Sequence, residues 1–260
     1  MNVAWIGLGH MGLPTAKMVA AAGHTVRGYD IRSLDVEDTL GITICGSVRE
    51  AAEGCDFLGL ALFSDEQVEE VLTGPEGLFP VLNDGTIVAI FTTGTIESAK
   101  MLARSAPPGV AVLDTCFSRG VGMLETNTMN LLVGGDAEAL ERCRPLLKVF
   151  SHEIYHLGES GAGRAAKLVN NLLWVAHNQL VIDALEFAAK LGFDRYEMAK
   201  IVANCSGASW VTQTYTKPYE EMVDYMRPFM IKDASAAAVA AREAGADLGT
   251  LGDVVRAFLK

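Results

Sequence analysis

The stretch Val3-Ala-Trp-Ile-Gly7-Leu-Gly9-His-Met-Gly12 sets a GxGxxG pattern directly behind an apolar run of strand character and directly ahead of a helical pattern. Few backbone geometries use glycines at that spacing. Gly7 permits a tight turn, Gly9 lets the backbone approach a bulky anion, and Gly12 lets the next helix pack closely on the strand. The helix N-terminus then points its unbonded N–H groups over the loop, a shape that suits a pyrophosphate. Pro14 fits the first helical turn, where its missing N–H costs nothing. The candidate cofactor-binding residues of this loop are Gly7, Leu8, Gly9, His10, Met11 and Gly12.

Asp30, at the end of the next apolar run, strengthens the reading. A carboxylate there accepts hydrogen bonds from the adenosine ribose hydroxyls of a dinucleotide. It also repels the extra phosphate of NADP, by about 1 kcal/mol in water and about 4 at an effective dielectric of 20 for charges ~4 Å apart. NAD is therefore expected over NADP. Arg32, two residues on, could partly neutralise such a phosphate.

The rest of residues 1–160 alternates short apolar runs with helical patterns. Strands are expected at 3–6, 24–29, 42–45, 57–62, 86–91, 110–114, 130–133 and 153–157, with helices at 13–22, 65–72, 96–104 and 137–147. Several runs are continuously apolar, as strands covered on both faces are. The order implies an α/β fold with a mostly parallel, doubly wound Rossmann-type sheet. At Gly158 the texture changes. A glycine-rich turn leads into residues 164–190, which contain no proline or glycine and read as one long helix. Residues 161–260 read as all-helical throughout, with breaks near Ser206-Gly207 and at Pro218 and Pro228.

Composition limits the partners. With 260 residues, half of them hydrophobic, the chain can bury a substantial core. A net charge of −11 argues against nucleic acid or an anionic membrane as the main partner. No apolar run reaches the roughly 18 residues of a membrane span. The N-terminus lacks the basic head and cleavage site of a signal peptide, so a cytoplasmic location is expected. Five cysteines without CxxC spacing read as small hydrophobic filler in a reducing compartment.

A second constellation is Gly161-Ala-Gly163-Arg-Ala-Ala-Lys167-Leu-Val-Asn170-Asn171. On a helix, Lys167, Asn170 and Asn171 fall at i, i+3 and i+4 and share one face. The stripe is either a solvated edge with two surface amides or a proton-transfer site.

These motifs resemble the β-hydroxyacid dehydrogenase family, which includes 3-hydroxyisobutyrate dehydrogenase and tartronate semialdehyde reductase. The resemblance rests on four segments in order: residues 7–12, Asp114-Thr-Cys-Phe-Ser118-Arg119-Gly120, residues 161–171 and Lys232-Asp233. It implies a Rossmann domain (1–160), then a helical substrate and oligomerisation domain (161–260) that is C-terminally short for the family, assembled as a homodimer or homotetramer. It implies Lys167 as the catalytic lysine and Asn171 as the amide holding substrate beside it. Ser118 and Gly120 match the loop gripping the substrate carboxylate. Thr93 matches a hydroxyl near the nicotinamide, Leu62 and Phe63 the loop over the cofactor, and Lys232 a lysine reaching it. The implied substrate is a small β-hydroxy acid.

The chemistry makes sense without the family. Oxidising an alcohol removes a hydride from carbon, which NAD accepts, and a proton from oxygen, which Lys167 would accept. An ordinary lysine near pKa 10.4 is a poor base at neutral pH. Burial near a positive nicotinamide should lower it toward about 7–8, which suits the task.

Two departures stand out. Arg119 replaces the first of two glycines usual in the substrate loop; it narrows the pocket, grips an anionic group with its guanidinium, or points away. Cys116 replaces a proline and reads as packing. The sequence His152-Glu153-Ile-Tyr-His156 spells HExxH, yet it lies on a strand pattern, where residues four apart are roughly 13 Å distant. No metal is expected. Two other readings remain open: an imine reductase-like member of the same superfamily, which usually replaces the lysine, and a non-catalytic dinucleotide-binding protein, which would not need Lys167 with Asn171.

Overall fold

The computed structural model describes all residues except 36–38, 40 and 120–128. The chain divides into two compact units, Met1–Lys167 and Leu168–Lys260.

In the first unit the apolar runs become strands β1 (Asn2–Ile6), β2 (Thr25–Tyr29), β3 (Ile42–Ile44), β4 (Phe57–Leu60), β5 (Ile87–Ile90), β6 (Ala111–Ser118), β7 (Asn130–Gly134) and β8 (Glu153–His156). Among the described residues they form one sheet in the order β3-β2-β1-β4-β5-β6-β7-β8. Every pairing is parallel except β6 with β7. This is the mostly parallel, Rossmann-like sheet that the continuous apolar runs require. Alternate residues of each strand feed opposite faces. Val3 and Trp5 join a core with helices α1 (Gly12–Ala21) and α5 (Ala137–Leu147). Ala4 and Ile6 join another with α2 (Val48–Ala52), α3 (Asp65–Thr73) and α4 (Ile96–Ser105).

An aromatic layer stiffens the first core. Trp5 stacks on Phe91 and Phe91 on Phe117, with centroids 5.2 and 4.6 Å apart. Phe150 stands edge-on to all three. Such pairs add about 0.5–1.5 kcal/mol each beyond area burial. They tie β1, β5 and β6 together near the ends from which the site loops emerge.

The long helix α6 (Ala162–Lys190) begins in the first unit and continues into the second. It is followed by α7 (Arg195–Val202), α8 (Trp210–Thr214), α9 (Lys217–Glu243) and α10 (Gly249–Phe258). The all-helical expectation holds, and the break near Ser206-Gly207 falls between α7 and α8. Pro218 opens α9 at its first turn. Pro228 does not break the helix as expected: α9 runs through it, held by buried Val223 and Met230 on either side. The cost of one lost backbone bond is offset by that packing. Tyr219 joins α9 to α6, accepting from Trp174 Nε1 at 3.1 Å and donating to Asn178 Oδ1 at 2.9 Å. Glu220 joins α9 to α7, pairing with Arg195 at 2.9 Å and accepting from the hydroxyls of Tyr196 and Tyr215. No described helix is long and apolar enough to cross a membrane.

Candidate active site

The direction of the chain across the sheet reverses between β1 and β4, since β2 and β3 lie on one side of β1 and β4 on the other. At such a switch point the loops diverge and leave a crevice at the carboxyl edge of the strands. Residues 7–12 leave β1 at this edge, Asp30 follows β2, Leu62 and Phe63 follow β4, and Thr93 follows β5.

The glycine loop is built on close approach. Gly7 has φ +91, and a Cβ there would sit 2.4 Å from the Ala61 carbonyl oxygen. A Cβ on Gly12 would meet the Gly7 carbonyl oxygen at 1.9 Å. Neither position accepts a side chain. Helices α2, α3, α4 and α5 are capped by Ser47, Ser64, Thr95 and Asp136. No described side chain caps α1, where Met11 precedes Gly12. The Leu13 N–H donates to the Gly9 carbonyl at 3.0 Å and Pro14 has none. The loop therefore fits the phosphates of a dinucleotide through the close backbone approach at its glycines and the positive end of α1, rather than through a full turn of free N–H groups. Leu8 is buried, Gly9 is half-buried and His10 is exposed.

Asp30 is fixed from the loop side, accepting from the Leu8 N–H at 2.8 Å. Burial alone would push its carboxyl up, but hydrogen bonds from Arg32 and Leu8 hold it below the ordinary range. It is a carboxylate at neutral pH and so acts only as a hydrogen-bond acceptor. The loops after β4 and β5 are tied by the Leu62 N–H donating to Thr92 Oγ1 at 2.9 Å. Thr92 is buried in this role, whereas Thr93 is half-buried and Phe63 is exposed.

A second assembly fixes the start of α6. Asp114, buried in β6, accepts from the N–H groups of Gly161 at 2.7 Å and Arg164 at 2.8 Å. Burial pushes its carboxyl up despite these bonds and the nearby guanidinium. Arg164 is fully buried. Its Nη1 donates to the Thr95 carbonyl at 2.8 Å and lies 2.7 Å from Asp65 Oδ1. The approach needs Gly163, whose Cβ would fall 2.6 Å from the carbonyl oxygens of Asp114 and Leu132. The first turn of α6 is thereby pinned to β6, β7 and the N-termini of α3 and α4. Lys167, half-buried, stands one helical turn beyond Arg164.

Ser118 ends β6 and is half-buried. Arg119 has φ +70, the one left-handed non-glycine residue among those described. A side chain in that region costs roughly 1–2 kcal/mol, a cost glycine avoids. The Arg119 side chain is exposed. Gly120 lies outside the described residues.

In the second unit, Asn171 and Asp233 are only 8% and 7% exposed. Asn171 Nδ2 donates to Asp233 Oδ2 at 2.5 Å, and its carbonyl accepts from Asn170 at 3.1 Å. Lys232 pairs with Asp233 at 2.8 Å. Asn171 is therefore no solvated surface amide, although Asn170 is exposed.

Sequence reading missed the parts played by Asp65 and Arg164. The clue was an arginine in the apolar opening of a helix, which needs a buried counter-charge. In the segment His152-Glu153-Ile-Tyr-His156 the last four residues build β8, and His156 Nε2 contacts the Gly135 carbonyl at 2.8 Å. Cys45, Cys55, Cys116 and Cys143 are buried, as filler should be, while Cys205 is exposed.

A crevice at the switch point of a parallel sheet, with a glycine loop opening onto an uncapped helix and a carboxylate just after the second strand, is the architecture of a dinucleotide-binding fold. Comparison with known proteins narrows the class. The family described as the NAD binding domain of 6-phosphogluconate dehydrogenase matches residues 2–158. The family described as NAD-binding of NADP-dependent 3-hydroxyisobutyrate dehydrogenase matches residues 161–259. An NAD-dependent L-serine dehydrogenase of Pseudomonas aeruginosa is 31% identical over 255 residues, covering 93% of this chain and 85% of its own. A 3-hydroxyisobutyrate dehydrogenase of the same organism is 31% identical over 220 residues, covering 82% and 73%. Among solved structures, Mycobacterium tuberculosis 3-hydroxyisobutyrate dehydrogenase with L-serine superposes with a TM-score of 0.84 at 26% identity, covering 98% and 91%. The chain belongs to the β-hydroxyacid dehydrogenase family and is an NAD(P)-dependent hydroxyacid dehydrogenase.

Proposed function

We propose that the chain oxidises a primary alcohol β to a carboxylate, as in 3-hydroxyisobutyrate, with NAD preferred over NADP and Lys167 as general acid/base. The relatives named for L-serine and 3-hydroxyisobutyrate support this substrate class, because both acids carry a hydroxymethyl group on the carbon next to the carboxylate. Asp30 supports NAD, since its carboxylate is held charged beside the ribose subsite.

The nicotinamide, when bound, supplies the hydride acceptor. Lys167 as a neutral amine takes the hydroxyl proton as the C–H bond breaks, leaving a semialdehyde; as an ammonium it returns that proton in reverse. Asn171 orients the substrate with the donor that Asp233 leaves unspent. Ser118 and Gly120 bind the carboxylate, and Arg119 narrows that subsite or adds a cationic grip. Thr93, Leu62 and Phe63 line the nicotinamide end, and Lys232 reaches the cofactor. Residues 1–160 form the cofactor-binding domain, which lends Ser118 and Gly120 to the substrate, and residues 161–260 form the helical substrate and oligomerisation domain, which lends Lys232 to the cofactor.

The observation that carries the catalytic reading is the anchored first turn of α6. Arg164 and Asp114 restrain the backbone immediately before Lys167, and a general base must be held within hydrogen-bond reach of its proton. Oligomer formation is supported by Leu173, His177, Leu180, Ala184, Phe187 and Leu191. They lie alternately four and three residues apart, the first five on α6 and Leu191 one residue past its end, and Leu173, Leu180, Phe187 and Leu191 are 46–64% exposed. That heptad spacing suits a second copy of the chain.

The test is a panel of C3–C4 hydroxy acids with NAD and with NADP, followed at the absorbance of the reduced cofactor. The proposal expects NADH formation with at least one β-hydroxy acid, at a higher kcat/KM than with NADP. Turnover confined to imines, or to NADP, would contradict it.

A further inference from the structure

Four hydrogen bonds converge on the carboxylate of Asp30. Oδ1 accepts from the Arg32 backbone N–H at 3.0 Å and from Arg32 Nε at 2.9 Å. Oδ2 accepts from the Leu8 N–H at 2.8 Å and from Arg32 Nη2 at 3.0 Å. A carboxylate offers about four lone-pair sites, so this one is saturated by its own chain. The two backbone bonds belong to the fold. The other two form a bidentate fork from one guanidinium, which also donates from Nη2 to the Leu8 carbonyl at 3.2 Å. The guanidinium therefore reaches the glycine loop, and the nearest atom to a Cβ built on Gly9 is that same Nη2, at 3.7 Å.

We propose that Arg32 is a displaceable occupant of the adenosine-ribose subsite that reads the 2′ substituent: it swings off Asp30 to admit a ribose diol, and it turns onto a 2′-phosphate as its counter-ion. The inference rests on the reading of residues 7–12 and Asp30 as the dinucleotide site. It adds a discriminator that Asp30 alone does not provide.

The two partners are unequally mobile. The Asp30 side chain is 8% exposed and held by backbone, whereas the Arg32 side chain is 60% exposed and can rotate without disturbing the core. A ribose diol needs the lone pairs that Nε and Nη2 now occupy, so NAD must break the fork. The guanidinium side of the fork stands mostly in solvent and is rehydrated when it swings away, so this exchange handicaps NAD only a few-fold. A 2′-phosphate would face the Asp30 carboxylate directly, a repulsion that the planar, doubly donating guanidinium can screen when it lies between the two anions. The same side chain hinders one cofactor and assists the other.

The experiment measures the Kd of NADH and NADPH by nicotinamide fluorescence for the full chain, Arg32→Ala and Arg32→Gln, with thermal midpoints recorded alongside. Loss of the guanidinium is expected to tighten NADH about two- to fivefold. It should weaken NADPH about tenfold or more. The opposite signs are the signature, which a variant that merely unfolds cannot produce. Equal shifts for both nucleotides, or none, would overturn the proposal while leaving the dinucleotide site intact. A wild-type chain binding neither nucleotide would overturn the site reading, and the proposal with it.

Discussion

Arg164 Nη1 lies 2.7 Å from Asp65 Oδ1, with the guanidinium fully withdrawn from solvent. The pair links the first turn of α6 to the first residue of α3, and Asp114 holds the Arg164 N–H from the sheet. Ion pairs of this kind hold geometry rather than add much net stability, because burying both charges consumes most of their attraction. Removing one partner is another matter.

Arg164→Ala should therefore destabilise the chain by about 3–5 kcal/mol, as breaking a buried pair does. Urea denaturation measures this. An Arg164→Ala variant as stable as wild type would show that Asp65 and Asp114 do not depend on the guanidinium.

Asp233 offers a milder test in the helical unit. It accepts from Asn171 and pairs with Lys232. Asp233→Asn keeps the shape while removing the charge and allowing the amide of Asn171 to turn. Turnover should fall about tenfold, the worth of roughly one oriented hydrogen bond, measured at a temperature where the variant is fully folded, because the loss of Lys232's counter-charge lowers the thermal midpoint as well. Unchanged turnover would remove Asp233 from the positioning of Asn171.

Much of this was legible in the sequence because it is written in local chemistry. The glycines at 7, 9 and 12 and the continuous apolar runs specify a loop and a two-sided sheet without reference to anything distant. Asp30 could be placed because it follows a strand end. The anchoring of α6 could not be seen, because Asp65, Asp114 and Arg164 come together only once β4, β5 and β6 lie side by side. The saturation of Asp30 by Arg32 was equally hidden: proximity in sequence raised the possibility, but only the side-chain geometry shows the fork. Pro228 misled because a local rule, that proline interrupts a helix, was overridden by tertiary packing on both sides of it.

The thiols provide a check on burial. Burial pushes Cys55 up to about 11 and Cys143 up to about 12, so both stay protonated at neutral pH. Cys205 alone of the five is exposed. A chromogenic disulfide reagent should titrate one thiol per chain in the folded protein and five in denaturant. Rapid reaction of more than one thiol before unfolding would contradict the packing of the sheet.

The exposed stripe on α6 predicts an effect on assembly. Replacing Leu180 and Phe187 together by Glu places charges in the middle of the heptad seam, a substitution a buried coiled-coil interface does not tolerate. Light scattering should show wild type as an oligomer and the double variant at a smaller assembly. Identical masses would exclude this face as the interface between copies.

The most direct test of the account is Lys167→Ala, assayed for turnover and for NADH binding in parallel. With Lys167 as the proton acceptor, turnover of the β-hydroxy acid should drop by at least about a hundredfold while the Kd for NADH stays within about twofold. Turnover near the wild-type value, with NADH still bound, would contradict the assignment of the proton-transfer step to this helix.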